Sequence, residues 1–295
     1  MLRGFRSFHP FVLLLYYIAV IAGLMLNQHP IFLTAAFLSI IFVNLILDKG
    51  IELNKWKYMI IFLGLFVFVF TPVFNQQGNI VLFELFSRAF YLEAVIQGAM
   101  IALTLSGILA LFTTFNIVMT PDKFLYLFSK FFPKWALILM LALRFMPLFR
   151  KRLADIQDVQ EMKGVSMNDG KLRDKAQNGM LFLQILLTYS LEEAMQTADS
   201  MSARGYGLQK RSQYKAYRWK SRDWSMLILL FFLSLSTLIG WQSNKTILTL
   251  TPELESILLQ GYSWFYLLGW VLLISLPIWT EGKEVIKWNF YQREI

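Results

Sequence analysis

The chain has 295 residues, of which 57% are hydrophobic and 16% are charged, and it contains no cysteine. Soluble domains are about 45–50% apolar, so this composition indicates an integral membrane protein. The lack of cysteine excludes disulfides, iron–sulfur clusters, thiolate zinc sites and thiol nucleophiles. The formal charge of +9 is interpreted first as membrane topology, because basic loops are retained in the cytoplasm.

Six apolar segments have about the length that crosses a bilayer, which is roughly 17–25 residues. They are residues 11–26, 31–47, 58–74, 94–115, 224–241 and 262–279. The first follows a short basic N-terminus and has no small-residue cleavage site near its end, so it is interpreted as a retained helix. Small residues at every fourth position of the fourth segment favour close helix packing. These residues are Gly98, Ala102, Ser106 and Ala110.

Lysine and arginine are divided very unequally between the two sides of this arrangement. With the N-terminus inside, the outer loops 27–30, 75–93 and 242–261 carry only Arg88 and Lys245 of the 28 basic residues. The positive-inside rule therefore predicts a multi-pass membrane protein with both termini in the cytoplasm.

The central segment is predicted to form cytoplasmic or interfacial helices. Thr120, Pro121 and Asp122 are a helix-start signal, and Pro133 ends this first short helix. A second helix turns amphipathic after residues 144–147, and a third covers about residues 176–204. The third carries an apolar stripe at three- and four-residue steps: Met180, Leu183, Leu187, Leu191, Ala194, Ala198 and Met201. A turn is expected at residues 168–170.

These segments give an all-α integral membrane protein in three parts. Residues 1–120 hold four transmembrane helices, residues 121–222 hold the cytoplasmic or interfacial helices, and residues 223–295 hold the last two transmembrane helices.

Two helical runs in the central segment end in a basic residue followed by glycine. The first ends at Lys163 and Gly164, and the second ends 41 residues later at Arg204 and Gly205. Glycine adopts the left-handed conformation that closes a helix, and a basic residue beside it faces unpaired carbonyls. One such end is ordinary helix chemistry. Its repetition favours a projecting device used twice, with arginine able to bind a carboxylate through its planar fork.

These two ends, together with Leu143-Arg144-Phe145-Met146-Pro147, resemble the transmembrane T component of energy-coupling factor (ECF) transporters for vitamins and metals. In that family, coupling helices end in Ala-Arg-Gly or Ala-Arg-Ser tips, and each tip docks in a groove of one of two ABC-type ATPases. The scaffold also holds a small substrate-binding S component. The resemblance implies a multi-pass protein of the bacterial inner membrane that transmits ATPase motion to the S component.

The resemblance implies six residues for ATPase docking. Arg204 is the principal one, and Lys163 is its weaker counterpart, because lysine keeps the charge and lacks the bidentate fork. Met162, Gly164, Ala203 and Gly205 flank them. The first tip departs from the family, with Met162 in place of alanine and Lys163 in place of arginine. Arg144 and Pro147 are candidates for structural support. Asp155, Glu161 and lipid head groups are alternative partners of Arg144.

No enzyme chemistry is evident in the sequence, and no cofactor or metal is expected. There is no Gly-x-x-x-x-Gly-Lys-[Ser/Thr] loop to hold ATP phosphates, so ATP hydrolysis is expected on partner subunits. His9 and His29 fall on opposite sides of the membrane in this topology and are interpreted as solvated loop residues. An integral-membrane hydrolase or transferase using Glu192 and Glu193 is the alternative function, although no histidine follows these glutamates. They are interpreted as an exposed polar face.

Residues 210–222 are basic and aromatic and directly precede a membrane span. Such a segment is more typical of a contact with anionic lipid than with nucleic acid. A stand-alone secondary transporter is a third hypothesis. It needs charged or broken sites at mid-membrane, and Asn44, Glu93 and Gln97 lie near span ends or are too few.

Overall fold

The protein is described by a computed structural model that covers residues 4–75, 78, 80–85, 88–165, 172–208, 217–249, 258–259 and 261–293. The helices are α1 (Pro10–Leu26), α2 (Pro30–Asp48), α3 (Ile51–Phe74), α4 (Leu92–Val118), α5 (Pro121–Phe131), α6 (Pro133–Met162), α7 (Leu172–Ala203), α8 (Ser221–Gln242) and α9 (Ser263–Arg293). A 3₁₀ turn (Phe5–Ser7) precedes α1. An antiparallel hairpin of β1 (Val81–Leu85) and β2 (Arg88–Tyr91) lies between α3 and α4. The predicted helical architecture is confirmed, and the hairpin is an addition to it.

Within the part of the chain that the structure describes, five helices are long and apolar enough to cross a membrane. These are α2, α3, α4, α8 and the part of α9 up to Gly282. Helix α1 is equally apolar and has 17 residues, which is about 26 Å at 1.5 Å per residue. The predicted multi-pass helical membrane protein is therefore confirmed.

The chain divides into two compact units. The first unit contains residues 1–124 and 217–295, and the second contains residues 125–216. The predicted division after residues 120 and 222 stays a prediction. The predicted turn at residues 168–170 lies outside the described residues.

Within the first unit, α4 packs against both α2 and α3, and α9 packs against α2 and α8. The small-residue face of α4 allows this close contact, as predicted. A Cβ atom added to Gly64 of α3 would lie 2.5 Å from Ser106 Oγ, and one added to Gly98 of α4 would lie 3.1 Å from the carbonyl oxygen of Phe68. The two backbones approach because neither glycine has a side chain.

A buried asparagine joins α2 to α4 through hydrogen bonds. The Asn44 side-chain amide donates to the carbonyl oxygens of Ile40 and Ala110, both at 3.0 Å. Its Oδ1 accepts from Thr113 Oγ1 at 2.6 Å. In an apolar environment such bonds satisfy groups that would otherwise be left without water, so the role of Asn44 is structural.

The segment before α1 ties the ends of four other helices together. Phe5 N donates to Glu281 Oε1 of α9 at 3.0 Å, and Arg6 Nη2 donates to the last turn of α2 at 2.9 Å. Lys123 Nζ of α5 donates to the carbonyl oxygen of Arg6 at 2.7 Å, and Arg222 Nη2 of α8 donates to that of Ser7 at 2.8 Å. The N-terminal segment and Glu281 therefore lie at the same end of the helix bundle.

Candidate functional site

Helix α6 ends in a hydrogen-bonded glycine cap. Lys163 is the C-cap residue, and Gly164 follows it with φ +79°. The amide of Gly164 donates to the carbonyl oxygen of Glu161, and the amide of Val165 donates to that of Gln160, both at 2.9 Å. This pair of bonds is the Schellman motif, which closes a helix with a left-handed residue.

Helix α7 ends in the same motif. Gly205 follows Arg204 with φ +73°. Its amide donates to the carbonyl oxygen of Ser202 at 2.9 Å, and the amide of Tyr206 donates to that of Met201 at 3.0 Å. The two ends share the same pair of capping hydrogen bonds and the same left-handed glycine, with the basic residue directly before that glycine. We call Met162–Gly164 the first tip and Ala203–Gly205 the second tip.

Both tips are open to their surroundings. Lys163 and Arg204 are exposed, and the Met162 side chain beside Lys163 is 81% exposed. A Cβ atom added to Gly164 would meet nothing within 4 Å, and one added to Gly205 would meet only Leu208 Cδ1 at 3.6 Å. The glycines are therefore required by backbone conformation, since no steric crowding demands them.

The arrangement can present a positive group at the negative end of a helix. The C-terminal carbonyls carry partial negative charge, which favours a basic side chain there. Because the side chain is exposed and the helix stops, the cation projects beyond the helix and can bind a carboxylate on a partner.

Helices α6 and α7 meet at an ion pair between Arg152 and Glu193. Arg152 Nη2 lies 3.4 Å from Glu193 Oε2, and its guanidinium lies over the ring of Tyr189, 5.2 Å from the centroid. Arg152 precedes Lys163 of the first tip by 11 residues, and Glu193 precedes Arg204 of the second tip by 11 residues. The contact thus joins matching positions of the repeated helices.

This contact corrects one expectation from the sequence, for Glu193, and narrows the alternatives for Arg144. Glu193 does not belong to an exposed polar face, because it is paired with Arg152, whereas Glu192 is exposed. Among the described residues, Arg144 is exposed and makes no ion pair with Asp155 or Glu161. The cation of α6 that pairs with α7 is Arg152, about two turns further along the helix, and α6 continues unbroken through Pro147. Structural support by Arg144 and Pro147 stays a prediction.

The apolar stripe predicted on α7 is present and faces outward. Four of its larger members are 52–68% exposed, whereas Met201 is half-buried; the four are Met180, Leu183, Leu187 and Leu191. Among the α7 residues whose burial is described, the buried side chain is instead Phe182, which is 1% exposed and lies outside the predicted stripe. A single sequence does not show which face of an amphipathic helix is covered by its own chain and which by a partner.

The two histidines are helix caps, which corrects their interpretation as solvated residues. His9 and His29 are 6% and 5% exposed. Each precedes a proline at a helix start, and each Nδ1 accepts from the backbone amide two residues on, in Phe11 at 3.2 Å and in Ile31 at 3.3 Å. The described part of the chain contains no group of three or more His, Cys, Asp or Glu residues arranged to hold a metal ion.

The comparisons with known proteins match the part of the chain that contains both tips. The model of the cobalt transport protein family CbiQ matches residues 8–216, from the start of α1 past the second tip. The chain belongs to this family. It is similar to the energy-coupling factor transporter transmembrane protein EcfT of Streptococcus thermophilus, with 30% identity over 200 residues that cover 63% of this chain and 74% of the relative.

Two further proteins of the same name show a similar match. The one from Exiguobacterium sibiricum is 26% identical over 187 residues, covering 60% of this chain and 71% of the relative. The one from Bacillus subtilis is 25% identical over 193 residues, covering 62% and 72%. The predicted resemblance to the ECF transmembrane T component is thereby confirmed. The chain is a multi-pass transport component of the membrane and not an enzyme.

Proposed function

We propose that this T component is the scaffold of an ECF-type ABC importer for a vitamin or a transition metal. It would couple two cytoplasmic ATPases to a separate S component that binds the substrate. The observation that carries the proposal is the pair of matching tips, because each presents an exposed basic residue on the same rigid helix cap. Two equivalent projections suit two related partner subunits.

Docking at the tips is a matter of charge and shape. The guanidinium of Arg204 offers a planar fork that fits a carboxylate bidentately, whereas the Lys163 ammonium is a point charge. An acidic groove on each ATPase would receive one tip, with Met162 and Ala203 against its apolar wall. As the ATPases close on nucleotide, the seated tips would move with them and carry α6 and α7.

The S component would cover the exposed stripe of α7. Contiguous exposed apolar side chains mark interaction surfaces, and Leu187 and Leu191 are 59% and 65% exposed. A small hydrophobic membrane subunit is the partner that suits such a surface. A shift of α7, driven through the second tip, would then be felt directly by the substrate-binding subunit.

We further propose that the end of the bundle held by the N-terminal segment faces the cytoplasm. Trp219 and Trp224 are 42% and 57% exposed there, 5.5 Å apart between ring centroids. Arg218 and Lys220 beside them are exposed. Aromatic rings with adjacent cations suit the head-group region of an anionic leaflet, which agrees with the charge division in the sequence.

Affinity purification in mild detergent, with mass spectrometry of the bound subunits, tests the docking proposal. We expect two ABC-type ATPases and one small hydrophobic protein with the wild-type chain, and loss of the ATPases with Arg204→Glu. Arg173→Glu makes the same charge change at an exposed position near the start of α7 and is the matched control. Retention of both ATPases by Arg204→Glu, or a wild-type chain that purifies alone, would overturn the proposal.

The two tips are expected to differ in strength. Lys163→Ala should lower uptake less than Arg204→Ala, because the lysine offers no bidentate contact. Lys163→Arg should keep uptake at the wild-type level or raise it. Uptake of the substrate, measured in cells with equal amounts of each variant in the membrane, gives the ranking. Equal losses for the two alanine variants would show that the tips contribute alike.

A further inference from the structure

We propose that Arg152 and Glu193 are positioning residues that form a pivot and set the separation of the two tips. This inference rests on the proposed docking function for its purpose, but its geometry is independent of any partner. The pair is half-exposed, with 39% and 30% of the two side chains accessible, and the Tyr189 ring lies against the guanidinium. Arginine therefore contacts two residues of α7 at one point.

The helix segments from the pivot to the two tips, which we call the arms, have equal length. From Arg152 to Lys163, and from Glu193 to Arg204, there are 11 residues each. At 1.5 Å per residue each arm is about 16 Å long. Because the arms are equal, a rotation at the crossing displaces the two tips by equal amounts. A rotation of about 10° would move each tip by about 3 Å.

Chain connectivity limits the angle between the arms. Leu172 begins α7 21 residues before Glu193, which is about 31 Å from the crossing. The connection from Met162 to Leu172 spans at most about 35 Å, even when fully extended. The crossing, the end of α6 and the start of α7 form a triangle with sides of about 16 Å, about 31 Å and at most about 35 Å. These sides are compatible only if the directions from the crossing to the two tips diverge by about a right angle or more.

This angle holds the tips apart. Two arms of about 16 Å that diverge by a right angle or more end at least about 20 Å from each other. The tips therefore cannot share one binding groove and must reach two separate sites. The ion pair fixes the crossing point, and with it the spacing that the two partner sites must match.

The lack of cysteine makes this spacing directly measurable. Glu161→Cys and Ser202→Cys place spin labels at exposed positions beside the two tips, and pulsed electron paramagnetic resonance on the full chain in detergent gives their distance. We expect one narrow distribution. Arg152→Glu, which opposes two carboxylates, should broaden it or shift its mean by more than about 3 Å. Arg152→Glu combined with Glu193→Arg should restore it.

Neighbouring residues supply matched controls. Lys151→Glu and Glu192→Arg make the same charge changes one position away, at exposed side chains, and should leave the distribution unchanged. An unchanged distribution in Arg152→Glu, or a double variant as broad as the single one, would overturn the pivot. Arg204→Glu should keep the distance and lose the ATPases. If Arg204→Glu keeps the distance and also keeps the ATPases, the docking proposal fails while the pivot stands.

Discussion

The two units of the molecule differ in how far they bury their own side chains. The first unit encloses large residues completely, among them Trp270, Tyr16 and Phe32, which are at most 1% exposed. In the described residues of the second unit, the buried hydrophobic side chains are Ile156 and Phe182 alone. The first unit therefore has a core of its own, whereas the second consists of long helices with apolar faces left open.

Polar contacts follow the same division. In the first unit the N-terminal segment is bonded to α2, α5, α8 and α9, and burial beside Arg6 lowers the pKa of Lys123 to about 8. Its ammonium is still charged at neutral pH, so it donates to two carbonyl oxygens as a cation. Among the described residues of the second unit, the ion pair of Arg152 with Glu193 joins α6 to α7. Substitutions in the first unit should thus lower stability, and those in the second should change assembly.

The largest effect is expected for Gly23→Ala in α1. A Cβ atom there would lie 2.2 Å from the Trp270 ring, which is buried and cannot retreat. Overpacking of this kind costs about 1–3 kcal/mol or more. The midpoint of thermal unfolding in mild detergent, followed by fluorescence-detected size-exclusion chromatography, should fall clearly below that of the wild type.

Gly107→Ala is the matched control for this substitution. It lies in α4 of the same unit, and its Cβ would meet Leu24 at an ordinary 3.7 Å. Removal of a helical glycine without a clash should leave stability unchanged or raise it by up to about 1 kcal/mol. A midpoint for Gly23→Ala as high as that for Gly107→Ala would show that the α1–α9 contact yields to the added methyl group.

Asn44→Leu should have an intermediate effect. It removes the hydrogen bonds between α2 and α4, and Thr113 keeps only its local bond to the Ala110 carbonyl oxygen. Interhelical hydrogen bonds in membranes contribute about 1–2 kcal/mol at most, so we expect a smaller loss of thermal stability than for Gly23→Ala. Thr104→Val, which removes a bond within one helix, should change the midpoint less. A larger loss for Thr104→Val would contradict the assigned role of Asn44.

The sequence predicted the membrane helices well because apolar length is a local property. All six predicted spans correspond to helices, although α3 begins 7 residues before the predicted third span and α9 continues 14 residues past the predicted sixth. The close α3–α4 contact followed from the spacing of Gly98, Ala102 and Ser106. The helix caps were also visible locally, because a glycine after a basic residue has one favourable geometry at a helix end.

Long-range pairing could not be predicted in the same way. Arg144, Arg150, Lys151 and Arg152 are all basic residues of α6, and only the crossing geometry selects Arg152 as the partner of Glu193. The repeat did contain a signal, since Arg152 and Glu193 are separated by the same 41 residues as Lys163 and Arg204. The histidine caps were missed because a polar ring beside proline is typical of a solvated loop as well.

The smallest effect is expected at the tip glycines, where the comparison of the two units is sharpest. Gly205→Ala meets no steric barrier but forces alanine to φ +73°, which costs about 1–2 kcal/mol. Because the cap lies at the exposed end of a helix, this cost should fray the last turn and leave global unfolding unchanged. Hydrogen exchange should accelerate at residues 204–206 only.

Gly205→Asn should exchange more slowly than Gly205→Ala, because asparagine tolerates the left-handed region. Gly164→Ala should behave like Gly205→Ala, since φ is +79° there. A fall in the global midpoint for either variant would mean that the tips are part of the folded core, and the division between a self-sufficient unit and an open one would not hold.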